Sequence, residues 1–180
     1  MEKLNLTDEN CLHLTVRNII AKYGHIDILI NNAGVLAYKS LAEKSFEEIQ
    51  GQIDTVLSGP IKLAKLCLPH LKESVVNIGS RLAFIGKKNL TVYATVKFGL
   101  RGFTESLGEE YPDLRVAAVH PGLTATSPDN AKGLSPEIVG DLVYKVATGH
   151  IKVRQGGDFK VYQYLENPVK RAIKKFLGRE

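Results

Sequence analysis

Three short aliphatic runs, separated by segments long enough to form helices, constrain the fold of this chain more than any other feature. They are residues 26–30 (IDILI), 74–78 (SVVNI) and 115–119 (RVAAV). Such a run is typical of a strand that is buried on both faces, and helix-length connections between strands are typical of parallel pairing. The three runs therefore predict a parallel sheet with helices on both faces, the doubly wound α/β class.

The first two predicted helices have clear start and stop signals. One begins after residues 7–9 (TDE), which supply a cap and acidic first-turn residues, and it ends at Gly24. The other runs over 45–68 and begins with a capping box formed by Ser45 and Glu48.

Further elements follow along the chain. A third helix runs over 91–110, and residues 135–137 (SPE) begin a fourth with proline in the first turn. The pattern of residues 159–165 (FKVYQYL) predicts a final strand, and 168–178 a basic amphipathic helix. The length of 180 residues fits one domain over 1–180, with a core at about 3–165.

Polar and glycine-rich clusters follow each of the three aliphatic runs. They are residues 31–34 (NNAG), 77–80 (NIGS) and 120–122 (HPG). Each cluster alone is an ordinary turn, because Asn, Gly and Pro are common turn residues. In open α/β sheets, however, ligands bind beyond the carboxyl ends of the strands, so these clusters lie where a ligand site is expected.

Tyr93 and Lys97 lie four residues apart at the start of the third helix, which places them on one helix face. In a chain with seven tyrosines this spacing alone is weak evidence of a site. Tyr93 also lies thirteen residues beyond Ser80, the last residue of the second cluster.

Taken together, these features resemble the short-chain dehydrogenase/reductase family, classical type. That family has Asn-Asn-Ala-Gly after one strand, a serine at the end of the next, Tyr-x-x-x-Lys thirteen residues later and Pro-Gly after the following strand. All four occur here in order, and the resemblance extends from about residue 3 to 126. It implies a Rossmann-like fold and an NAD(P)-dependent oxidoreductase that acts on an alcohol or carbonyl substrate.

The resemblance also implies roles for individual residues. Tyr93 is the expected general acid/base, Ser80 the hydrogen-bond donor to the substrate oxygen, and Lys97 the cation that lowers the tyrosine pKa and bonds the nicotinamide ribose. The cofactor is expected to be NAD or NADP. The implied cofactor-binding residues are Asn32, Ala33, Gly34, Tyr93, Lys97, Leu123 and Thr126. A homodimer or homotetramer is expected as well.

The sequence departs from the family pattern at its front. The family begins with a strand and a glycine-rich turn that holds the pyrophosphate, and this chain shows neither, so it looks N-terminally truncated. Residues 4–8 (LNLTD) read as the end of a later strand, with Asn5 in place of an acidic residue near the adenine. The alternative function is therefore a non-catalytic, family-like subunit or fragment that has lost dinucleotide binding.

Two further departures concern the site. Val56 occupies the position of an asparagine that orders a water chain from Lys97 in the family, so the usual proton relay is in doubt. Only about a dozen residues separate Gly122 from Ser135, which predicts a short lid over the substrate.

The formal charge of +5 does not indicate a nucleic-acid partner. Five of the basic residues lie within 170–180, and no nucleic-acid-binding motif or basic stripe appears elsewhere. A basic amphipathic helix such as the one predicted over 168–178 more often docks on protein than on a membrane. Its basic face makes contact with an anionic membrane surface the alternative. No histidine has metal-ligand spacing, so no metal site is expected, and a cytoplasmic location is expected.

Overall fold

The computed structural model describes residues 4–125 and 133–166. Four parallel strands form one sheet in the order β1-β2-β3-β4. The strands are β1 (Ile26–Asn31), β2 (Leu71–Ile78), β3 (Arg115–His120) and β4 (Gly157–Lys160). The parallel sheet predicted from the three aliphatic runs is confirmed, and the predicted final strand lies at its end as β4.

Helices cover both faces of this sheet. They are α1 (Glu9–Tyr23), α2 (Phe46–Ile53), α3 (Gly59–Cys67), α4 (Thr91–Glu110), α5 (Pro136–Ala147) and α6 (Val161–Glu166). One apolar core cluster joins α1, α3 and α4 to the sheet through residues such as Val75 and Val116. A second cluster joins α5 and the start of α6 to the other face through Val76 and Val119. Successive side chains of β2 and β3 point to opposite faces of the sheet and therefore belong to two separate cores.

The carboxyl ends of the four strands lie together at one edge of the sheet. Asn31 pairs with Asn77 across β1 and β2, Ile78 pairs with Val119 across β2 and β3, and His120 pairs with Lys160 across β3 and β4. The polar clusters that follow the strands in sequence are therefore brought together in space.

The predicted helix caps are present. Asp8 caps α1 by accepting a hydrogen bond from the Cys11 amide at 3.1 Å. Gly24 ends α1 in the left-handed conformation with φ of 81°, which favours glycine. Ser45 and Glu48 form the capping box at the start of α2.

The single helix predicted over 45–68 is interrupted. Residues Asp54–Ser58 form a π-helical turn between α2 and α3. Pro60 explains the break, because it has no N–H to donate to the Val56 carbonyl four residues earlier, and its ring would clash with that carbonyl. The π-helical turn widens the helix and avoids this clash.

The final strand predicted over 159–165 is wrong in extent. The strand spans Gly157–Lys160, and residues Val161–Glu166 are helical. β4 pairs with β3 only as far as His120, because β3 ends there. Val161, Tyr164 and Leu165 then pack on the second core at helical spacing.

The strand end predicted at 4–8 is also wrong. Residues 6 and 7 form a turn, and the Asn5 side chain accepts a hydrogen bond from the Thr7 amide at 3.1 Å. This local bond replaces a sheet ladder, as is common where asparagine precedes a turn.

Some sequence predictions lie outside the described residues. They concern Thr126 and the basic helix over 168–178. In the part of the chain that the structure does describe, no helix is both long and apolar enough to cross a bilayer. The same residues contain no group of three or more His, Cys, Asp or Glu side chains placed to hold a metal ion.

Candidate active site

A cleft of about 730 Å³ opens at the carboxyl edge of the sheet. Its walls are the segments that follow β1, β2 and β3, together with the start of α4 and one residue of α6. Ser80, Tyr93 and Lys97 all line it. The three residues implied by the family resemblance, which span eighteen positions of sequence, thus lie in one cleft.

Ser80 and Tyr93 are close enough for their side chains to hydrogen-bond. Ser80 lies at the start of the turn after β2, and its hydroxyl oxygen accepts a hydrogen bond from the Leu82 amide at 3.1 Å. Since that bond uses a lone pair of the oxygen, the serine hydrogen remains available to donate.

Lys97 is 4% exposed and points to the end of β2. Its Nζ donates to the Ile78 carbonyl oxygen at 2.6 Å and lies 5.7 Å from the centre of the Tyr93 ring. Burial lowers the pKa of Lys97 to about 8. One ammonium hydrogen is committed to the main chain, so the others are free to contact a ligand in the cleft.

The pKa of Tyr93 departs from the direction that the resemblance implies. Burial raises the pKa of this phenol, and the hydrogen bond with Ser80 opposes that rise only in part. Lys97 was expected to lower it, but its ammonium is directed to the Ile78 carbonyl. In this structure Tyr93 is therefore protonated at neutral pH.

A buried histidine behind Ser80 escaped the sequence analysis, which treated it as part of a turn. His120 is 0% exposed, and its Nδ1 lies 3.1 Å from the Ser80 amide nitrogen and 3.0 Å from the Ser80 carbonyl oxygen. Its Nε2 lies 2.9 Å from Oδ1 of Asp158, whose carboxylate also accepts from Arg101 Nε at 2.8 and 3.1 Å. The only sequence signal was a histidine at the end of a buried strand.

Gly79 permits this arrangement by its lack of a side chain. A Cβ added there would lie 2.3 Å from His120 Nδ1 and 2.4 Å from Cε1. Such distances are far inside van der Waals contact, so only glycine fits between β2 and the histidine ring.

A chain of buried amides supports the cleft from below. The Asn31 side chain donates to Asn77 at 2.8 Å, and Asn77 donates to the Thr104 hydroxyl at 2.9 Å. Thr104 in turn donates to the Leu100 carbonyl at 2.7 Å. This network links β1, β2 and α4, and it satisfies polar groups whose burial would otherwise be costly.

Only some of the residues implied to contact the cofactor line the cleft. Asn32, Gly34 and Leu123 line the cleft, whereas Ala33 is exposed on the same loop and is not among the lining residues. A Cβ on Gly34 would meet no atom within 4 Å, so this part of the loop borders open space.

The loop after β1 is held by bonds from α2 and its entry. Lys44 donates to the Ala37 carbonyl at 3.2 Å, and the buried Gln52 donates to the Val35 carbonyl at 3.3 Å. Val35 lines the cleft, so these bonds fix one of its walls.

Val56 has no polar function in the site. It is 0% exposed within the π-helical turn that packs on α4. Its side chain cannot bond a water molecule, which agrees with the doubt that the sequence raised about the usual proton relay.

The described ends of the predicted lid are pinned together. The Ala125 amide donates to the Leu134 carbonyl at 2.8 Å, and the Leu134 amide donates to the Leu123 carbonyl at 2.7 Å. A Cβ on Gly133 would lie 2.7 Å from the Ala125 nitrogen, so the two described ends of the predicted lid approach closely at this point.

The cleft suits the nicotinamide half of a dinucleotide. It combines the free donors of Lys97, the hydroxyls of Ser80 and Tyr93, and open space beside Gly34. A flat ring with a ribose and a carboxamide requires such a mixture of open wall and few polar groups. No glycine-rich strand-turn-helix for a pyrophosphate occurs among residues 4–125 and 133–166.

The parallel sheet with helices on both faces and this Ser–Tyr–Lys cleft at its carboxyl edge define a Rossmann-like α/β protein. The chain belongs to the short-chain dehydrogenase family, whose profile matches residues 2–135.

Relatives by sequence are oxidoreductases. An uncharacterized oxidoreductase of Thermotoga maritima is 35% identical over 115 residues, which is 61% of this chain and 46% of that protein. The 3-oxoacyl-[acyl-carrier-protein] reductase of Salmonella typhimurium is 30% identical over 154 residues, or 82% of this chain and 62% of the reductase. The matches therefore span 46% and 62% of the length of these two relatives.

The fold is shared with solved short-chain dehydrogenases. One from Burkholderia cenocepacia, determined in complex with NADP, superposes with a TM-score of 0.76 at 22% identity. The match covers 88% of this chain and 73% of that one.

Proposed function

We propose that the protein is an NAD(P)-dependent oxidoreductase that reduces a carbonyl group or oxidises the corresponding alcohol. The observation that carries the proposal is the meeting of Ser80, Tyr93 and Lys97 in one cleft at the carboxyl edge of the sheet. The family membership and the reductase names of the relatives agree with it.

Tyr93 acts as the general acid in the direction of reduction. Burial raises its pKa, so the phenol keeps its proton at neutral pH and can give it to a carbonyl oxygen. When bound, a reduced nicotinamide supplies the hydride to the carbonyl carbon. The Lys97 cation then lies beside the phenolate that remains on Tyr93.

Ser80 orients the substrate. Its oxygen already accepts the Leu82 amide hydrogen, and its own hydrogen, which can bond the Tyr93 oxygen, would turn to a substrate oxygen bound beside both hydroxyls. A donor fixed in this way stabilises the negative charge that develops on that oxygen during hydride transfer.

The cofactor is held by the residues around the open part of the cleft. As the family resemblance implies, Lys97 would bond the nicotinamide ribose, Asn32 and Gly34 would line the adenosine side, and Leu123 would contact the carboxamide. Ala33 and Thr126 were implied as well, and Thr126 is outside the described residues. Titration of the protein with NADH and with NADPH measures which of the two cofactors it binds more tightly.

Replacing Tyr93 by Phe tests the proposal. The variant removes only the phenolic oxygen, and we expect a loss of at least about a hundredfold in kcat with either NADH or NADPH. Tyr144→Phe is the matched control, because Tyr144 is exposed on α5 and does not line the cleft. Full activity in Tyr93→Phe would contradict the assignment.

Binding titrations separate the two functions that the sequence left open. If NADH and NADPH fluorescence show no binding at millimolar concentration, the chain is a non-catalytic member of the family. Binding of either cofactor together with loss of turnover in Tyr93→Phe supports the oxidoreductase.

We also infer a homodimer or homotetramer. Phe46 on α2 and Phe98 on α4 are 87% and 47% exposed, α2 packs on α4, and a contact with a second copy would remove these two rings from water. Light scattering should give a mass of two or four chains, and Phe46→Ser together with Phe98→Ser should lower it. A monomeric wild-type protein would contradict this inference.

A further inference from the structure

His120 makes two contacts that no role in the proposed reaction explains. One ring nitrogen, Nδ1, faces both backbone groups of Ser80, at 3.1 Å from the amide nitrogen and 3.0 Å from the carbonyl oxygen. The other, Nε2, faces Asp158 at 2.9 Å. The ring thus connects the backbone of a cleft residue to the partly buried Asp158–Arg101 ion pair on the opposite side.

The hydrogen-bond chemistry of the ring decides which of the two Ser80 groups is paired. An ionised Asp158 carboxylate can only accept, so Nε2 must carry a hydrogen. In the neutral ring Nδ1 then has a lone pair, which accepts from the Ser80 amide. In the protonated ring Nδ1 carries a hydrogen, which instead donates to the Ser80 carbonyl and faces the amide hydrogen unfavourably.

Burial favours the neutral ring of His120 by lowering its pKa, although Asp158 and the Ser80 backbone both favour the protonated ring. Burial lowers the pKa of His120, and Asp158 on β4 opposes that effect through its hydrogen bond and charge. Arg101 on α4 lowers the pKa as well and binds both oxygens of the carboxylate. Phe84 packs against the His120 ring at a centroid distance of 4.7 Å, and the Lys160 ammonium lies 4.1 Å from the centre of the Phe84 ring.

We propose that His120 is a positioning residue for Ser80, and that the Asp158–Arg101 pair fixes the tautomer in which His120 holds the Ser80 amide. Protonation of His120 at acid pH breaks the hydrogen bond from the Ser80 amide, because Nδ1 then carries a hydrogen. The protonated Nδ1 donates to the Ser80 carbonyl oxygen instead, and the backbone of Ser80 reorients. The site therefore contains an acid-sensitive element that acts on Ser80 and not on Tyr93. The consequence for turnover rests on the proposed function, whereas the tautomer and the contact with Ser80 do not.

Nuclear magnetic resonance tests the assignment without any measurement of activity. Ring ¹⁵N shifts of His120 and the backbone amide shift of Ser80 are followed from pH 8 to 5 in the wild-type protein and in Asp158→Asn. We expect the Nε2–H tautomer in the wild type and a Ser80 amide shift that titrates together with the His120 ring. Asp158→Asn should change the tautomer population or the titration midpoint and move the Ser80 amide shift.

Two results of this experiment overturn the proposal. One is the Nδ1–H tautomer in the wild-type protein. The other is a Ser80 amide shift that responds neither to the titration of His120 nor to Asp158→Asn.

Enzyme kinetics then tests the consequence for catalysis. In His120→Asn the amide oxygen reaches about as far as Nδ1 and can accept from Ser80, whereas His120→Leu has similar bulk and no acceptor. We expect His120→Leu to lose about tenfold in kcat, the effect of about one hydrogen bond, with little change in KM. His120→Asn should recover most of kcat and lose the acid limb of the wild-type pH profile.

Equal losses in both variants, or an unchanged acid limb in His120→Asn, would overturn the role in catalysis. Thermal unfolding of each variant shows whether a loss of turnover is due to unfolding alone. If a His120 variant does not fold, the kcat and pH profile of Asp158→Asn are compared with those of the wild type instead. Absence of NAD(P)H-dependent reduction by the wild-type protein would instead refute the proposed function, and the ¹⁵N experiment would still decide the His120 assignment.

Discussion

Lys97 is the single side chain whose burial has the most direct consequence for stability. It is almost fully enclosed, bonds the Ile78 carbonyl, and has a pKa of about 8 in the folded protein. Its ordinary pKa of 10.5 applies once the chain unfolds. Between these two values the unfolded chain binds more protons than the folded one, so stability must rise with pH across that window.

Lys97→Met removes this dependence. We expect the free energy of unfolding of the wild-type protein to rise, relative to that of Lys97→Met, as pH increases from about 8 to about 10, with a slope of at most about 1.4 kcal/mol per pH unit. Urea unfolding of both proteins at several pH values measures it. Parallel pH profiles would show that Lys97 is not desolvated in the folded state.

Gly79 is the second residue with a sharp consequence, because its hydrogen faces the His120 ring. Gly79→Ala must displace either the ring or β2, and we expect a loss of about 1–3 kcal/mol in the free energy of unfolding, as is typical of overpacking. Gly102→Ala is the matched control: a Cβ there meets no atom within 4 Å in α4, so the change should stabilise by roughly 0.5–1 kcal/mol. Urea unfolding measures both, and equal stability of Gly79→Ala and wild type would contradict the close approach.

At the scale of elements, the sequence predicted helices and strands well where the signal is local. The N-cap of α1, its end at Gly24 and the capping box of α2 all depend on residues within four positions of one another. The single helix predicted over 45–68 is wrong at Asp54–Ser58, because Pro60 cannot donate to the carbonyl four residues earlier. The last strand failed because its length depends on where β3 ends, which is a tertiary constraint.

The buried amide network that ties β1, β2 and α4 together gives a prediction at this scale. Thr104→Val keeps the shape of the side chain but leaves the Asn77 amide without its acceptor, so we expect a loss of about 1–3 kcal/mol in the free energy of unfolding. Thr95→Val in the same helix is the control. Thr95 is exposed and bonds only the Thr91 carbonyl, so its replacement should change stability by less than about 0.5 kcal/mol. Similar losses in denaturant unfolding would contradict a special role for the network.

At the scale of the whole molecule, the charge of the cleft bears on the substrate. Arg81 and Lys87 are exposed at its wall, Lys97 is buried beside them, and none of the described residues that line it is Asp or Glu. A cleft with one sign of charge concentrates ligands of the opposite sign. An anionic carbonyl compound should therefore bind better than its neutral ester.

Replacing both Arg81 and Lys87 by Ala should raise KM for a 3-oxo acid by roughly tenfold and leave KM for its ethyl ester within about twofold. The difference should shrink in high salt because screening weakens exposed charges. Lys88→Ala is the control, since Lys88 is exposed nearby but does not line the cleft. Equal effects on acid and ester would exclude a role for these charges in substrate choice.

The handedness of the connections is another property of the whole molecule. α4 and α5 pack on opposite faces of the sheet, although both connections advance one strand in the same direction. The connection from β3 to β4 therefore has the opposite hand to the connection from β2 to β3, against the usual rule for parallel strands. No pattern in the sequence of α5 indicates which face it covers.

The sequence by itself predicted the parallel sheet and the positions of its polar ends, because periodicity and turn signals act over a few turns of helix or one strand. The set of Ser80, Tyr93 and Lys97 was implied by the family resemblance. Only the tertiary structure decided the direction of the Tyr93 pKa, the engagement of Lys97 with the Ile78 carbonyl, and the place of His120 behind Ser80. Burial and contacts between residues 19 to 40 positions apart set these features, and such contacts exist only once the chain has folded.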